Sequence, residues 1–411
     1  MDLALTDEQA MIRDAAADVL AERSASADVR RALEQSAGRD DALWAALAGE
    51  LGWNALALPE AAGGLGLGAV EQTLLMEQLG RRIACVPYFP TACLAATALA
   101  SCSDAPLATG WLAKIAEGAC SATLALPFEL PAGAGRLPVV AEEAAGGYAL
   151  SGTIEQVIDG ARADLLLIPA RIANEGRSIG LFAIDVATAR GLRITPLDTL
   201  DATRPIARIV LDETRVNRDA LFACGTVAAQ VLERAAWFAA LALAAEQLGG
   251  AQQCLDLTLD YTGQRVQFGR AIASFQAVKH RCAQMMVLIE SARSAVLGAA
   301  HAWDAQAGGV APDAALRGDI AAAKAAANDA YAFCAQEAIQ LHGGVGFTWE
   351  YDPHLYFKRA QASLAQFGST PQLLEWIARH AIDNGTSRHD AAPLHASMAT
   401  RPSAARTGAL Q

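Results

Sequence analysis

The chain has 411 residues, enough for two to three domains, and its 53% hydrophobic against 18% charged residues can fill sizeable buried cores. Forty-four acidic against 32 basic residues give a net charge of −12, which excludes nucleic acid or an anionic membrane as a partner met by overall charge. The eight cysteines (85, 93, 102, 120, 224, 254, 282, 334) form no CxxC pair and no cluster with histidine, so they read as reduced small hydrophobes and no metal site is expected.

The opening "MDLALTDEQAMIRD" has early acids and no basic-then-apolar signal, which together with reduced cysteines predicts a cytoplasmic protein. Thr6 to Gln9, "TDEQ", has capping-box spacing and predicts a helix starting there. Helical periodicity continues through "DALWAALAGELGW", "AVEQTLLMEQLGR" and an alanine-rich stretch, giving an all-α domain over residues 1–118. Over 119–222 the pattern changes to short apolar or alternating runs such as "SATLALPF", "ADLLLIPAR", "SIGLFAID" and "ARIVLDETRV", separated by Gly, Pro, Asn and Asp, which predicts an antiparallel β domain. Long helical stretches return at 226–262, 274–306 and 313–341, with shorter ones after His354 and Pro371, so residues 223–384 read as a four-helix bundle and the fold class as multidomain α+β. The longest apolar run, "AAWFAALALAA" at 235–245, is shorter than the roughly 20 residues a membrane span needs. Residues 385–411 lack apolar periodicity and read as a disordered tail.

Among chemistries that such a bundle can carry, a di-iron site lacks its paired Glu-x-x-His, and no GxGxxG, GxxxxGK[ST] or GxSxG occurs to support a Rossmann domain, a P-loop or a serine-hydrolase elbow. Two stretches stand out: "YTGQRVQFGRAIASFQAVKHRCAQM" (261–285) and "AIQLHGGVGFTWEYDPHLYFKRAQ" (338–361). Alone, Arg265 and Arg270 could be cations closing a helix, and "LHGGVGF" a glycine C-cap. Together, two glycine-rich elbows bring arginine, glutamine and bare backbone amides to helix ends, a set suited to a pyrophosphate.

At these residues the chain resembles the acyl-CoA dehydrogenase family, whose two C-terminal signatures match "RxQFG...FQxxxH" and "QxxGGxGF"; the segment "LGWNALALPEAAGGLGLGAVEQTLLMEQLGR" (51–81) and the hairpin "GYALSGTIEQVIDGARADLLLIPAR" extend the likeness to residues 3–383. The resemblance implies a flavoenzyme that binds FAD between subunits of a tetramer and desaturates an acyl-CoA thioester, a carboxylate taking the α proton and flavin N5 the β hydride, with an electron-transfer flavoprotein as acceptor. It implies FAD contacts at Arg265, Phe268 and Gln276, a pyrophosphate-side loop at Gln340, Gly343 and Gly344, and flavin-side donors at Ser369 and Thr370.

The chain departs from the family pattern at the base. Where many members read Tyr-Glu-Gly-Thr, this sequence has Gln366, Phe367, Gly368 and Ser369, and the position of the alternative glutamate on the first bundle helix falls on Ala239. Glu246, two turns further along the same face in "AAEQLGGAQ", is the remaining candidate base, because a carboxylate on so apolar a helix is costly as mere structure. The family's flavin-side segment is replaced by "LPFELPAGAG" (126–135), and its Trp-Ile-Thr by Gln156, Val157 and Ile158. These departures resemble the branch in which unlike subunits form an α2β2 tetramer and act on bulky, steroid-type acyl chains. The expected function is therefore FAD-dependent dehydrogenation of such a thioester, by a homotetramer or an α2β2 heterotetramer, the alternative being a non-catalytic scaffold subunit of a heteromeric enzyme.

Overall fold

Thr6 opens the first helix by a reciprocal cap: the Gln9 N–H donates to Thr6 Oγ1 at 3.2 Å and the Thr6 N–H donates to Gln9 Oε1 at 3.0 Å. The structure, a computed structural model, describes residues 3–102, 105–128, 137–173, 178–306 and 311–380. Residues 129–136, which include most of the "LPFELPAGAG" segment, and the tail 385–411 lie outside the described residues.

Six helices come first: α1 (Asp7–Arg23), α2 (Ser26–Gln35), α3 (Asp41–Ala45), α4 (Ala69–Arg81), α5 (Ala96–Ala100) and α6 (Pro106–Ala116). The strands β1 (Ala122–Leu124), β2 (Val140–Ala144), β3 (Gly147–Ile158), β4 (Leu165–Ile172), β5 (Ile179–Asp185), β6 (Leu192–Leu197), β7 (Ile206–Asn217) and β8 (Leu221–Cys224) follow. They form one sheet in the order β6-β7-β3-β2-β4-β5-β8, antiparallel except that β1 and β2 each run parallel to β4 along one of its edges. Then come α7 (Gly225–Gln264), a hairpin of β9 (Val266–Gln267) and β10 (Arg270–Ala271), α8 (Gln276–Ala305), α9 (Ala314–His342), α10 (Pro353–Ser363) and α11 (Thr370–Ala378).

One hydrophobic core runs through both helical regions, from Ala16 and Leu20 in α1 to Phe367 and Leu373, while the sheet has its own core around Leu150, Ile168 and Phe182. The helical regions merge because α4 lies directly on α7. A Cβ at Gly80 would stand 2.0 Å from the Glu246 carbonyl oxygen, and one at Gly249 would stand 1.9 Å from that of Glu77, so the two backbones touch at their crossing. One residue on along α7, Gly250 makes room for the Tyr331 ring of α9, which a Cβ would meet at 2.4 Å. By length and composition α7 could cross a membrane, but 72% of its most apolar window is buried inside the protein, the mark of a core helix.

Candidate functional site

The two glycine-rich elbows meet at one end of the bundle. The ring of Tyr261, in the last turn of α7, stacks on His342, the last residue of α9, with centroids 4.4 Å apart and planes 17° apart. This contact places the hairpin after α7 beside the loop after α9. In the hairpin, Arg270 pairs with Gln267 and Ala271 with Val266, leaving Phe268 and Gly269 as a two-residue turn. Both have positive φ, 54° and 78°, the type I′ geometry that matches strand twist. Asparagine or glycine ordinarily takes the first of these positions; a bulky residue there costs on the order of 1–3 kcal/mol. Phe268 nevertheless occupies it with 92% of its surface exposed, held out from the protein. Arg265, Gln276, Gln340, Gly343 and Gly344 are exposed as well. A Cβ built on Gly269, Gly343 or Gly344 would meet no atom within 4 Å, so the backbone there is open to close approach by a ligand.

The second part of the site is the elbow between α10 and α11. Phe367 and Gly368 again have positive φ, 54° and 107°. A buried polar set fixes this shape. Lys324 Nζ donates to Asn328 Oδ1 and to the backbone oxygen of Ser363, Gln247 Nε2 donates to Ser363 Oγ at 2.9 Å, and Asn328 Nδ2 donates to the Gly368 oxygen at 3.2 Å. The Phe367 N–H donates to the Phe128 oxygen at 2.7 Å, and its ring packs against Phe89 and Phe128 with centroids 5.9 and 6.0 Å away. Phe367 is 1% exposed, so the position where an acid would stand is a closed aromatic contact. Ser369 caps α11, its hydroxyl donating to Gln372 Oε1 at 2.9 Å, and the Thr370 hydroxyl donates to Asp329 on α9 at 2.9 Å. Asp329 precedes Gln340 by about 16 Å along α9, so elbow and bundle end are separate stations on one helix.

Lys324 is wholly buried with no carboxylate among the described residues bonded to it, and burial lowers its pKa from 10.5 to about 7, Glu246 partly opposing the shift. Between pH 7 and 10.5 the unfolded chain therefore binds more protons at this position than the native one, and its contribution raises stability with rising pH across that window. Denaturation midpoints of wild type and Lys324→Met at pH 7 and pH 9.5 check this: the wild type should gain on the variant as pH rises, and a parallel response would contradict the assignment.

Glu246 has the burial expected of it, 4% exposed, but not the freedom. One oxygen accepts from Arg204 Nη2, and the other from Arg359 Nη1 at 2.7 Å. Arg359 also pairs through Nε with Asp201 at 2.7 Å and donates to Thr203 Oγ1. Burial pushes the Glu246 carboxyl up, yet the two arginines more than offset it and hold it below the usual range. A base here is expected to be a desolvated acid with raised pKa; the structure has a charged carboxylate clamped on both oxygens. Glu246 lies about 28 Å along α7 from Arg265 and so belongs to neither the bundle end nor its hairpin.

The model of the acyl-CoA dehydrogenase N-terminal domain matches residues 6–119, and that of the acyl-CoA dehydrogenase C-terminal domain matches residues 229–382. Acyl-CoA dehydrogenase IpdE2 of Mycobacterium tuberculosis is 32% identical over 366 residues, covering 89% of this chain and 94% of its own length. The chain belongs to the acyl-CoA dehydrogenase family. Among solved structures, one in the ChsE4-ChsE5 complex from Mycobacterium tuberculosis superposes with a TM-score of 0.80 at 28% identity, covering 93% of this chain and 99% of that one. One in a variant of the Tcur3481-Tcur3483 steroid ACAD does so with a TM-score of 0.78 at 28% identity, covering 93% and 99%.

The acyl-CoA dehydrogenase family comprises oxidoreductases that use FAD. The bundle end fits such a dinucleotide: an exposed guanidinium at Arg265, an exposed amide at Gln340 and unobstructed backbone at Gly343 and Gly344 suit phosphate oxygens, and Phe268 offers an aromatic face. At the elbow, Ser369 and Thr370 have their hydroxyl protons engaged by Gln372 and Asp329, which leaves them lone pairs to offer. Sequence reasoning missed Asp201, Arg204 and Arg359. One signal was available for Arg359: it falls on the buried helical face made by Leu355, Tyr356, Ala360 and Ser363.

Proposed function

We propose that this chain is one subunit of a heteromeric, FAD-dependent acyl-CoA dehydrogenase that desaturates a bulky, steroid-type acyl-CoA thioester, with an electron-transfer flavoprotein as acceptor. One observation carries the reading: Phe367, buried against Phe89 and Phe128, fills the elbow position of the acid. The desaturation needs a carboxylate to take the α proton and hydrogen-bond donors for the developing enolate. The clamped and acidified Glu246 is poorly suited to the first task, so we assign it to anchoring the interior and assign the base to the related subunit. Bound FAD would supply the acceptor for the β hydride. This chain's part is to present Arg265, Phe268, Gln276, Gln340, Gly343 and Gly344 to that cofactor across the subunit contact. The relatives solved as complexes of two different chains, one of them described as a steroid enzyme, support both the heteromer and the substrate class.

The test is a visible absorption spectrum of the chain alone and of the chain co-expressed with a related subunit, each given FAD and then a steroid-type acyl-CoA under anaerobic conditions. The complex should hold flavin and bleach; the chain alone should do neither. Within the complex, Phe268→Ser should weaken flavin retention at least about tenfold without shifting the melting temperature of the chain, since its ring touches so little of its own fold. Glu246→Gln separates the two candidate bases: a folded complex that keeps its flavin but loses turnover by a factor of about a thousand would return the base to Glu246 and sink this reading.

A further inference from the structure

A cleft of about 450 Å³ opens where α2, the turn between β6 and β7, and the start of α10 converge, lined by no residue of the hairpin or the elbow. Its size and its place at a junction of domains are those of small-molecule sites. The walls are built rather than incidental. Arg30 of α2 donates to the backbone oxygens of Trp349 and Tyr351, pairs with Asp352 at 2.5 Å, and so bolts α2 to the segment carrying Trp349. Arg30 is thereby occupied. Leu33 and Leu355 face the cleft, and Leu200 and Trp349 flank it with 61% and 64% of their surfaces exposed.

Against this apolar frame stands a cation that the protein leaves available. Lys358 holds its ammonium 4.8 Å over the Trp349 ring, and makes no ion pair among the described residues. The floor is polar and fixed: Thr203 Oγ1 donates to Asp201 and accepts from Arg359, and Arg359 bonds Glu246. Asp201 and the rim residue Glu34 repel an anion from their own sides, leaving Lys358 as the place for one.

We propose that this cleft binds a flat, ring-bearing monocarboxylate, its ring against Trp349 between Leu33 and Leu200 and its carboxylate on Lys358. Such a ligand is the free-acid counterpart of a cyclic acyl group, taken without coenzyme A, and its floor contacts would reach Glu246 through Asp201, Thr203 and Arg359. None of the residues lining the cleft is one assigned to the flavin or to the base.

The experiment is isothermal titration of the native assembly with 2-naphthoate and with its neutral analogue 2-naphthylmethanol. The acid should bind at one saturable site per chain, at least about tenfold more tightly than the alcohol. Lys358→Met should weaken the acid about tenfold and leave the alcohol unchanged, while Trp349→Ala should weaken both. Trp349 is exposed and Lys358 half-buried, and unchanged melting temperatures would confirm that the variants fold. No saturable uptake, equal affinity for acid and alcohol, indifference to both substitutions, or competitive displacement by an acyl-CoA thioester would each overturn the proposal.

Discussion

Replacing Arg359 by methionine is expected to cost the fold about 3–5 kcal/mol, the range seen when one member of a buried ion pair is removed and its partners are left charged in the interior. The size follows from what Arg359 holds. Its guanidinium serves Glu246, Asp201 and Thr203 at once, all three of them nine-tenths buried or more. Glu246 would keep Arg204, but Asp201 would have only the Thr203 hydroxyl and amide. The loss is larger than any exposed pair could cause, because exposed pairs contribute about 0–1 kcal/mol. Urea denaturation at neutral pH measures it. A change below about 1 kcal/mol would show that solvent reaches the cluster and that the two carboxylates do not depend on this arginine. A second measurement refines the result: Arg379→Met, at an exposed pair with Glu375, should move stability by less than about 0.5 kcal/mol.

Gly249→Ala is expected to be comparably damaging for a different reason. The added methyl would fall 1.9 Å from the Glu77 carbonyl oxygen and 2.8 Å from its carbon, and backbone cannot rotate away as a side chain can. Relief requires α4 and α7 to separate, which opens the core they share and exposes the backbone beside Glu246. Overpacking of this kind costs typically about 1–3 kcal/mol and more where the obstacle is main chain, so a loss of about 3 kcal/mol or failure to fold is expected. Gly263→Ala on the same helix provides the opposite sign. A Cβ there meets nothing within 4 Å, and alanine is favoured over glycine in a helix by about 0.5–1 kcal/mol. Thermal unfolding of the two variants side by side is decisive: if Gly249→Ala matched Gly263→Ala, the close crossing of α4 on α7 would be wrong.

The succession of helical, β and helical regions was legible in the sequence, because apolar periodicity and the capping pattern at Thr6 act within a few residues. That helices end at the glycine-rich elbows around Gly269 and Gly343 was legible as well, since glycine takes positive φ at little cost. The absence of an acid at the elbow was legible there too. What fills that absence depends on long-range packing, as Phe89 and Phe128, the neighbours of Phe367, come from other segments of the chain. The same holds for Glu246. Its place on an apolar helix was plain, but its charge state depends on Arg204, 42 residues before it, and Arg359, 113 residues after it. Periodicity says which face of a helix is buried; which charges meet on that face is set by how distant elements pack, and here that packing sets two arginines on the carboxylate expected to be a base.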